Sequence, residues 1–387
     1  MNGISSIVYL CDYQAPYSGN FIASMLRLGK ALENRGIRAV FLFPDGARER
    51  LWCKKLSESG FGTRFFAKDG SELGALKTLL DTLDEVNASI LHVHFGKFAL
   101  AETAALLRPK LRLILHYHSD FSAGRKPSIA RRAKLFFKRI PELLIGRKRL
   151  TKITVSETSL AATPDCIPIP NALVTERFSE KHESRESVRA RYGIGDGETL
   201  VLLFGWSPYV KGVDTAFRAV EALHRRGRTD LVLGIVTGRE VNAARMRAFL
   251  REKTGCTADE PFLRLFEPTE DVFSYHAASD VFLSASRSET FSYALLEALS
   301  VGKPCVSSEI AGVLWAKRFP VVTWFAAGDP DALSRAITDA VCDAADPGFA
   351  SRADAARRLV SDCYGIETWI DGILAVYDGR FSSVSRR

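Results

Sequence analysis

Two glutamates stand close together in the segment DVFLSASRSETFSYALLEALSVGKPCV, where a strand-like run leads into a helix-like run. Glu289 lies at the junction and Glu297 lies within the predicted helix. Open α/β sheets bind ligands where a strand ends and a helix begins, because the first N–H groups and the helix dipole attract anions. The pattern therefore predicts a diphosphate site. Its N–H groups would come from Thr290, Phe291 and Ser292.

Paired carboxylates also suggest a glycosidase, in which an acid and a nucleophile flank the scissile bond. The spacing argues against that chemistry. Eight helical residues rise about 12 Å, whereas the carboxyl groups of glycosidases lie roughly 5 to 9.5 Å apart. Two separate binding roles fit better, one for sugar hydroxyls and one for a ribose.

A second strand-to-helix junction lies in FGWSPYVKGVDTAFRAVEAL, which contains Gly205, Lys211 and Gly212. A lysine at this place can neutralise the charge that builds up on a departing diphosphate. Preorganised positive charge of this kind stabilises a transition state by several kcal/mol, on the order of 3. The two junctions together predict a site for a nucleoside diphosphate.

These motifs resemble those of glycosyltransferase family 4, in which a GR-x4-KG phosphate loop precedes two glutamates with seven residues between them. Lys211 and Gly212 match the KG, and Glu289 and Glu297 match the glutamate pair. Similarity continues through DEVNASILHVHF, LHYHSD, ITVSETS and IPIPNALVTERF and covers most of the chain. One departure concerns the arginine that usually follows the phosphate-loop glycine, because Trp206 stands there instead.

The resemblance implies a role for each matched residue. Glu297 would bind the ribose, Glu289 the donor sugar and Lys211 the diphosphate. His118 in LHYHSD matches the family's active-site histidine, and Gly19 lies where the family has a glycine-rich loop near the donor phosphate. The implied reaction is a front-face transfer with retention of configuration, without a metal ion or another cofactor.

Three further histidines surround this one in the sequence, so the residues alone leave open which of them faces the ligand. His92, His94 and His116 lie on neighbouring predicted strand ends. The HxH pairs also suggest a metal ion, but no carboxylate or cysteine cluster in the sequence completes a ligand set. We therefore expect no metal site.

The elements that must position these residues alternate in the way of parallel βα units. At 387 residues the chain exceeds the size of a single core, so we expect two domains. With the resemblance, the prediction is an α/β fold of GT-B type, in which two Rossmann-like domains face each other across a cleft. We predict an acceptor-side domain at 1–172, a nucleotide-sugar domain at 173–365, and a helical tail at 366–387 that packs back on the first domain.

Composition limits the remaining classes. The seven cysteines form no CxxC pair, which is typical of reduced thiols in a cytoplasmic protein. The start of the chain lacks the pattern of a secretory signal, and the apolar runs are shorter than the roughly 20 residues of a spanning helix. The clusters at Gly60 and Gly193 precede strands, so they do not form a dinucleotide-binding fingerprint.

A basic amphipathic stretch runs over 125–152, with eleven basic residues and one acidic residue. Such a stretch can bind an anionic membrane surface, and a solvated helix face is the alternative. No nucleic-acid motif accompanies the charge, so we expect no nucleic-acid partner. The expected partners are a nucleotide-sugar donor, most often a UDP- or GDP-sugar, and a glycan, a lipid-linked sugar or another hydroxyl acceptor.

Two rival functions remain open at this point. A nucleotide-sugar epimerase of the same fold would convert the donor without an acceptor. A non-catalytic nucleotide-sugar or membrane-binding protein, which Trp206 suggests, would bind the donor without turning it over.

Overall fold

The computed structural model describes residues 3–68, 70–118, 140–155, 165–175, 182–238, 240–256 and 259–381. The chain forms two compact units. Unit 1 consists of Met1–Val174 together with Ile366–Arg387, and unit 2 consists of Thr175–Gly365. Each unit is built on one sheet of parallel strands, so the α/β fold predicted from the sequence is confirmed.

The sheet of unit 1 has seven parallel strands in the order β3-β2-β1-β4-β5-β6-β7. Its strands are β1 (Ser6–Cys11), β2 (Arg38–Pro44), β3 (Gly62–Phe66), β4 (Ile90–His94), β5 (Arg112–Tyr117), β6 (Leu150–Thr154) and β7 (Ile167–Pro168). Its described helices are α1 (Gly19–Glu33), α2 (Leu51–Glu58), α3 (Glu72–Glu85), α4 (Phe98–Leu107) and α5 (Ile140–Ile145). A short 3₁₀ helix covers Asp45–Ala47.

Both faces of this sheet are covered, which explains why β1 is buried at every position. Alternate residues enter different cores. Ile7, Tyr9 and Cys11 pack on one side of the sheet, and Val8 and Leu10 pack on the other. Strand β1 pairs with β2 and β4, so that Tyr9 lies opposite Phe41 on one neighbour and His92 on the other.

The sheet of unit 2 has six parallel strands in the order β10-β9-β8-β11-β12-β13. Its strands are β8 (Thr199–Phe204), β9 (Leu231–Val236), β10 (Leu263–Phe266), β11 (Val281–Ser284), β12 (Cys305–Ser308) and β13 (Val322–Phe325). Its helices among the described residues are α6 (Arg185–Arg191), α7 (Val213–Arg225), α8 (Ala243–Thr254), α9 (Val272–Ala278), α10 (Tyr293–Ser300), α11 (Pro330–Ala344) and α12 (Phe349–Tyr364). A 3₁₀ helix covers Ala311–Arg318.

The C-terminal part of the chain contains two successive helices. Helix α12 ends at Tyr364, and α13 (Ile366–Tyr377) begins after the single residue Gly365. Gly365 has an extended backbone (φ −69°, ψ 153°), which cannot continue a helix. Helix α13 belongs to unit 1, where it buries an apolar face of Trp369, Ile370, Ile373, Leu374 and Tyr377.

Helix α13 is held on unit 1 by polar contacts as well. The Arg112 guanidinium on β5 donates to the carbonyl oxygens of Tyr377 (2.6 Å) and Val376 (3.1 Å) at the end of the helix. A cation satisfies the last carbonyl groups of a helix well. Among the helices that the structure describes, none combines the length and the apolar character of a membrane-spanning segment.

Candidate functional site

The two strand-to-helix junctions of the sequence lie side by side in unit 2. Strands β8 and β11 are parallel neighbours, so the loop 205–212 after β8 and the loop 285–292 after β11 meet at the same edge of the sheet. The N–H of Arg287 donates to the carbonyl oxygen of Val210 over 2.7 Å and joins the loops directly. The Arg287 guanidinium also binds both carboxylate oxygens of Asp214 on α7, each at 2.7 Å.

Lys211 and Glu289 form an ion pair across these loops, although 77 residues separate them in the chain. Only 13% of the lysine side chain and 12% of the glutamate side chain are exposed. Ser286 donates to the same carboxylate over 2.9 Å. A largely desolvated lysine and carboxylate at the ligand edge of a parallel sheet can bind a diphosphate and sugar hydroxyls.

Gly212 allows the two loops to approach this closely. It precedes α7 with a left-handed backbone (φ +64°), and a Cβ atom there would lie 2.0 Å from the carbonyl oxygen of Ala285. Any side chain would therefore push the β8 loop away from the β11 loop. Gly205 is also tightly packed, since a Cβ atom there would lie 2.7 Å from Ile235.

The helix after β11 begins directly after the three residues that the sequence predicts as N–H donors. Helix α10 starts at Tyr293, and the hydroxyl of Ser292 caps it by accepting from the N–H of Leu295 over 3.3 Å. The ring of Phe291 is buried and stacks on Trp315, with ring centroids 4.9 Å apart. Thr290 and Phe291 thus lie in the turn before the helix rather than in its first turn.

Glu297 lies inside α10 and is 7% exposed. His276 on α9 lies beside it, with its Nε2 3.9 Å from the glutamate Oε2. His276 is fully buried, and neither of its ring nitrogens has a hydrogen-bond partner among the described residues. No motif in the sequence includes this histidine, so its place beside Glu297 follows only from the tertiary structure.

Trp206, which replaces the family arginine, is 59% exposed at the start of the β8 loop. Lys211 Nζ lies 5.1 Å from the centroid of its ring, which is within the range of a cation–π contact. Tyr209 in the same loop is equally exposed, and the Arg287 guanidinium lies 4.6 Å from its ring centroid. The loop thus presents two aromatic rings, each beside a cation.

Gly19 and His118 are the predicted site residues of unit 1. Gly19 is the first residue of α1 and has a left-handed backbone (φ +53°). His118 directly follows β5 and is partly buried, with its ring stacked on Phe95 at a centroid distance of 4.2 Å. Phe95 itself has φ +68°, a strained conformation for a residue with a bulky side chain, and such strain concentrates at functional sites.

The other three histidines are fully buried beside His118, on the face of the sheet that packs on α1 and α13. Burial lowers the pKa of each of them well below the usual value, and the neighbouring imidazoles lower it further. Ring nitrogens of the three lie within 4.8 Å of one another, so the set could hold a metal ion. The members are His92, His94 and His116.

Comparison with known proteins finds a family match within unit 2. Residues 198–343 match the family model Glycosyl transferases group 1. A GDP-mannose-dependent alpha-(1-6)-phosphatidylinositol monomannoside mannosyltransferase of Mycolicibacterium smegmatis is 32% identical over 198 residues, which cover 48% of this chain and 50% of that protein. In the curated relatives the matched segment spans 34% to 50% of their own length.

Solved structures resemble the whole chain. A glycosyltransferase of Rickettsia africae superposes with a TM-score of 0.81 at 15% identity, covering 98% of this chain and 100% of that one. Anabaena Alr3699/HepE in complex with UDP-glucose superposes with a TM-score of 0.76 at 16% identity, covering 97% of this chain and 99% of that one. Residues 198–343 are thus similar to the glycosyl transferases group 1 family, and the fold of the chain is that of these solved glycosyltransferases.

Proposed function

We propose that this protein is a retaining glycosyltransferase, which transfers a sugar from a nucleoside diphosphate sugar to a hydroxyl group of an acceptor. The observation that carries the proposal is the Lys211–Glu289 pair at the ligand edge between β8 and β11. In this proposal the lysine of the pair neutralises the diphosphate, and the adjacent carboxylate accepts hydrogen bonds from the sugar hydroxyls. A relative named as GDP-mannose-dependent, and a solved structure of the same fold in complex with UDP-glucose, support a donor of the UDP- or GDP-sugar class.

Each site residue has a part in binding the donor. Lys211 neutralises the diphosphate, and the amide groups around Thr290, Phe291 and Ser292 add partial positive charge at the start of α10. Glu289 accepts hydrogen bonds from the sugar. Glu297 accepts them from the ribose, and His118 of unit 1 contacts the donor sugar and the acceptor.

The transfer follows a front-face course in this proposal. The bond between the anomeric carbon and the diphosphate oxygen breaks, and the acceptor oxygen forms its bond on the same face of the sugar. The acceptor proton passes to a phosphate oxygen, so no carboxylate nucleophile is required. Because Lys211 and the backbone amides supply positive charge, we infer that no divalent ion is needed. Activity that EDTA abolishes and a divalent ion restores would contradict this inference.

A thermal-shift screen tests donor binding first. We expect UDP or GDP, with its sugar conjugates, to raise the melting temperature at millimolar concentration, because a ligand that binds only the native state stabilises it. The Glu297→Gln variant should lose most of this shift. A protein that responds to none of the UDP, GDP and ADP compounds would contradict the proposal.

Product analysis then separates transfer from the two rival functions. An epimerase converts the nucleotide sugar in the absence of any acceptor, whereas a glycosyltransferase releases the free nucleoside diphosphate in proportion to glycosylated acceptor. A non-catalytic binding protein gives the thermal shift but no product with any acceptor. The exposed Trp206 in place of an arginine is the observation that keeps this last candidate in the test.

We also propose that a lipid-linked acceptor is reached at an anionic membrane surface on the cytoplasmic side. Residues 125–139 of the predicted basic segment lie outside the described residues. The described remainder begins with α5, whose Leu143 and Leu144 are 73% and 66% exposed. Helix α4 packs beside α5 and exposes 52% of Leu107. Apolar side chains beside basic ones are typical of interfacial helices.

Flotation with vesicles that contain phosphatidylglycerol measures this contact. At low salt we expect the protein to float with the vesicles and the double variant Leu143→Ser/Leu144→Ser to bind several-fold less, because buried apolar area and basic charge act together at the interface. Leu73→Ser is the matched control, since Leu73 is 78% exposed on α3 of the same unit. Equal binding of the two variants, or no flotation of the wild type, would contradict the proposal.

A further inference from the structure

Four imidazole rings form a continuous group on one face of the sheet in unit 1. His92 and His94 alternate along β4, and His116 on β5 lies directly opposite His94 in the parallel register. His118 follows two residues later, at the end of β5. Neighbouring rings lie 4.3 to 5.4 Å apart between centroids.

Two separate hydrogen-bond systems run through this group. In the first, His92 Nδ1 pairs with the hydroxyl of Tyr377 over 2.7 Å, and His92 Nε2 pairs with His116 Nδ1 over 3.3 Å. The Tyr377 hydroxyl in turn pairs with that of Tyr9 over 2.9 Å. In the second system, His94 Nδ1 pairs with His118 Nε2 over 2.9 Å.

The proton positions in the second system follow from the ring nitrogen of His94 that has no hydrogen-bond partner among the described residues. His94 Nε2 is buried and pairs with no described residue. A buried N–H group without an acceptor is rarer than a lone pair without a donor. The single proton of neutral His94 therefore belongs on Nδ1, where it is donated to His118 Nε2.

This assignment determines the state of His118. The His118 ring packs against the rings of Phe21, Phe95, His94 and His116, and this desolvated setting favours its neutral form. Because its Nε2 accepts the hydrogen bond from His94, the proton of the neutral ring lies on Nδ1. No described residue pairs with that Nδ1, which leaves its N–H available to a ligand oxygen.

We propose that His94 is a positioning residue that holds His118 as the neutral Nδ1–H tautomer, so that His118 donates a hydrogen bond to a substrate oxygen and does not act as a base. The substrate oxygen is a hydroxyl of the donor sugar or of the acceptor, and this part rests on the proposed function. Stacking on Phe95 and the hydrogen bond from His94 together fix the plane and the tautomer of the ring.

Long-range ¹H–¹⁵N NMR correlation of the histidine rings tests the tautomer without any substrate. In the full chain labelled with ¹⁵N-histidine, with signals assigned by loss in His118→Asn, we expect a single His118 tautomer with the proton on Nδ1. In His94→Leu the His118 signals should shift towards a mixture of tautomers. A proton on Nε2 of His118 in the wild type, or an unchanged tautomer in His94→Leu, would overturn the proposal.

Kinetics test the positioning role. We expect His94→Leu to lower kcat about tenfold, the usual size of a lost hydrogen bond, with the thermal shift by the nucleoside diphosphate unchanged. His94→Asn should restore most of kcat, because the Asn amide can still donate to His118. His118→Asn should likewise retain more activity than His118→Ala, since the amide replaces the Nδ1–H donor.

The possible failures are distinguishable. Equal losses in His94→Leu and His94→Asn, or a lower melting temperature that accounts for the lost activity in both, would mean that His94 is only structural. If no nucleotide binds and no transfer is found, the proposed function fails, while the NMR experiment still decides whether His94 sets the tautomer of His118.

Discussion

The Lys211→Met variant is expected to lose about 10²- to 10³-fold in kcat/KM for sugar transfer, while unit 2 stays folded. The loss corresponds to about 3 to 4 kcal/mol of transition-state stabilisation, the usual worth of a preorganised charge in a site that excludes water. Lys211 meets this condition because it is largely desolvated, paired with Glu289, and held beside the Trp206 ring. Methionine keeps the length of the side chain and removes only the charge. Steady-state kinetics with the donor from the screen measure the effect.

Lys317→Met is the matched control for this prediction. Lys317 also pairs with a glutamate, Glu309, in unit 2, but both side chains are about half exposed. Exposed ion pairs contribute little, typically below about 1 kcal/mol, so this variant should retain wild-type kinetics and stability. Similar losses in both variants would contradict a specific role of Lys211, as would a melting temperature of Lys211→Met too low for the assay.

Acid is expected to destabilise unit 1 steeply, starting near pH 6.5. His92, His94, His116 and His118 all have pKa values lowered by burial, the last to about 3. The unfolded chain protonates these rings near their ordinary pKa of about 6.5, whereas the folded chain does not. The unfolded state therefore binds more protons below that pH, and the histidine contribution to stability is full above pH 6.5 and falls as the pH decreases.

Each of these histidines should reduce the free energy of unfolding by about 1.4 kcal/mol per pH unit once the pH is well below 6.5. Urea denaturation between pH 5 and 7.5, followed by pulsed hydrogen exchange of peptides from β4 and β5, measures the slope. His116→Leu should reduce this slope by about 1.4 kcal/mol per pH unit, which corresponds to one proton fewer taken up on unfolding. Ile114→Val, a buried change on the same strand, should lower stability by about 1 kcal/mol at every pH without changing the slope. A slope equal in His116→Leu and the wild type would contradict the role of this ring.

The candidate ligand-binding residues of unit 2 can be predicted from the sequence because they lie in recognisable local patterns. Lys211 and Glu289 each lie in a turn between a strand-like run and a helix start. Such turns lie at the ligand-binding edge of a sheet, because the carboxyl ends of parallel strands share that edge. Neither pattern states that β8 and β11 are neighbours. The strand order makes these two strands neighbours. The backbone hydrogen bond from Arg287 to Val210 and the space left by Gly212 then bring the two loops together, so that Lys211 contacts Glu289.

The same division holds for the histidines of unit 1. Alternation along β4 places His92 and His94 on one face of a strand, which the letters HVH already imply. Only the pairing of β4 with β5 and the packing of α13 decide what these rings contact. Tyr377 reaches His92 from a distance of 285 residues in the chain.

Local sequence thus determined the α/β class, the strand and helix pattern and the identity of the candidate ligands, because propensity and hydrophobic periodicity act over a few residues. Tertiary structure decided the hydrogen-bond partners, the burial of His276 beside Glu297, and the tautomer assigned to His118. These depend on contacts between residues far apart in the chain, and on the desolvation that only the packed interior provides.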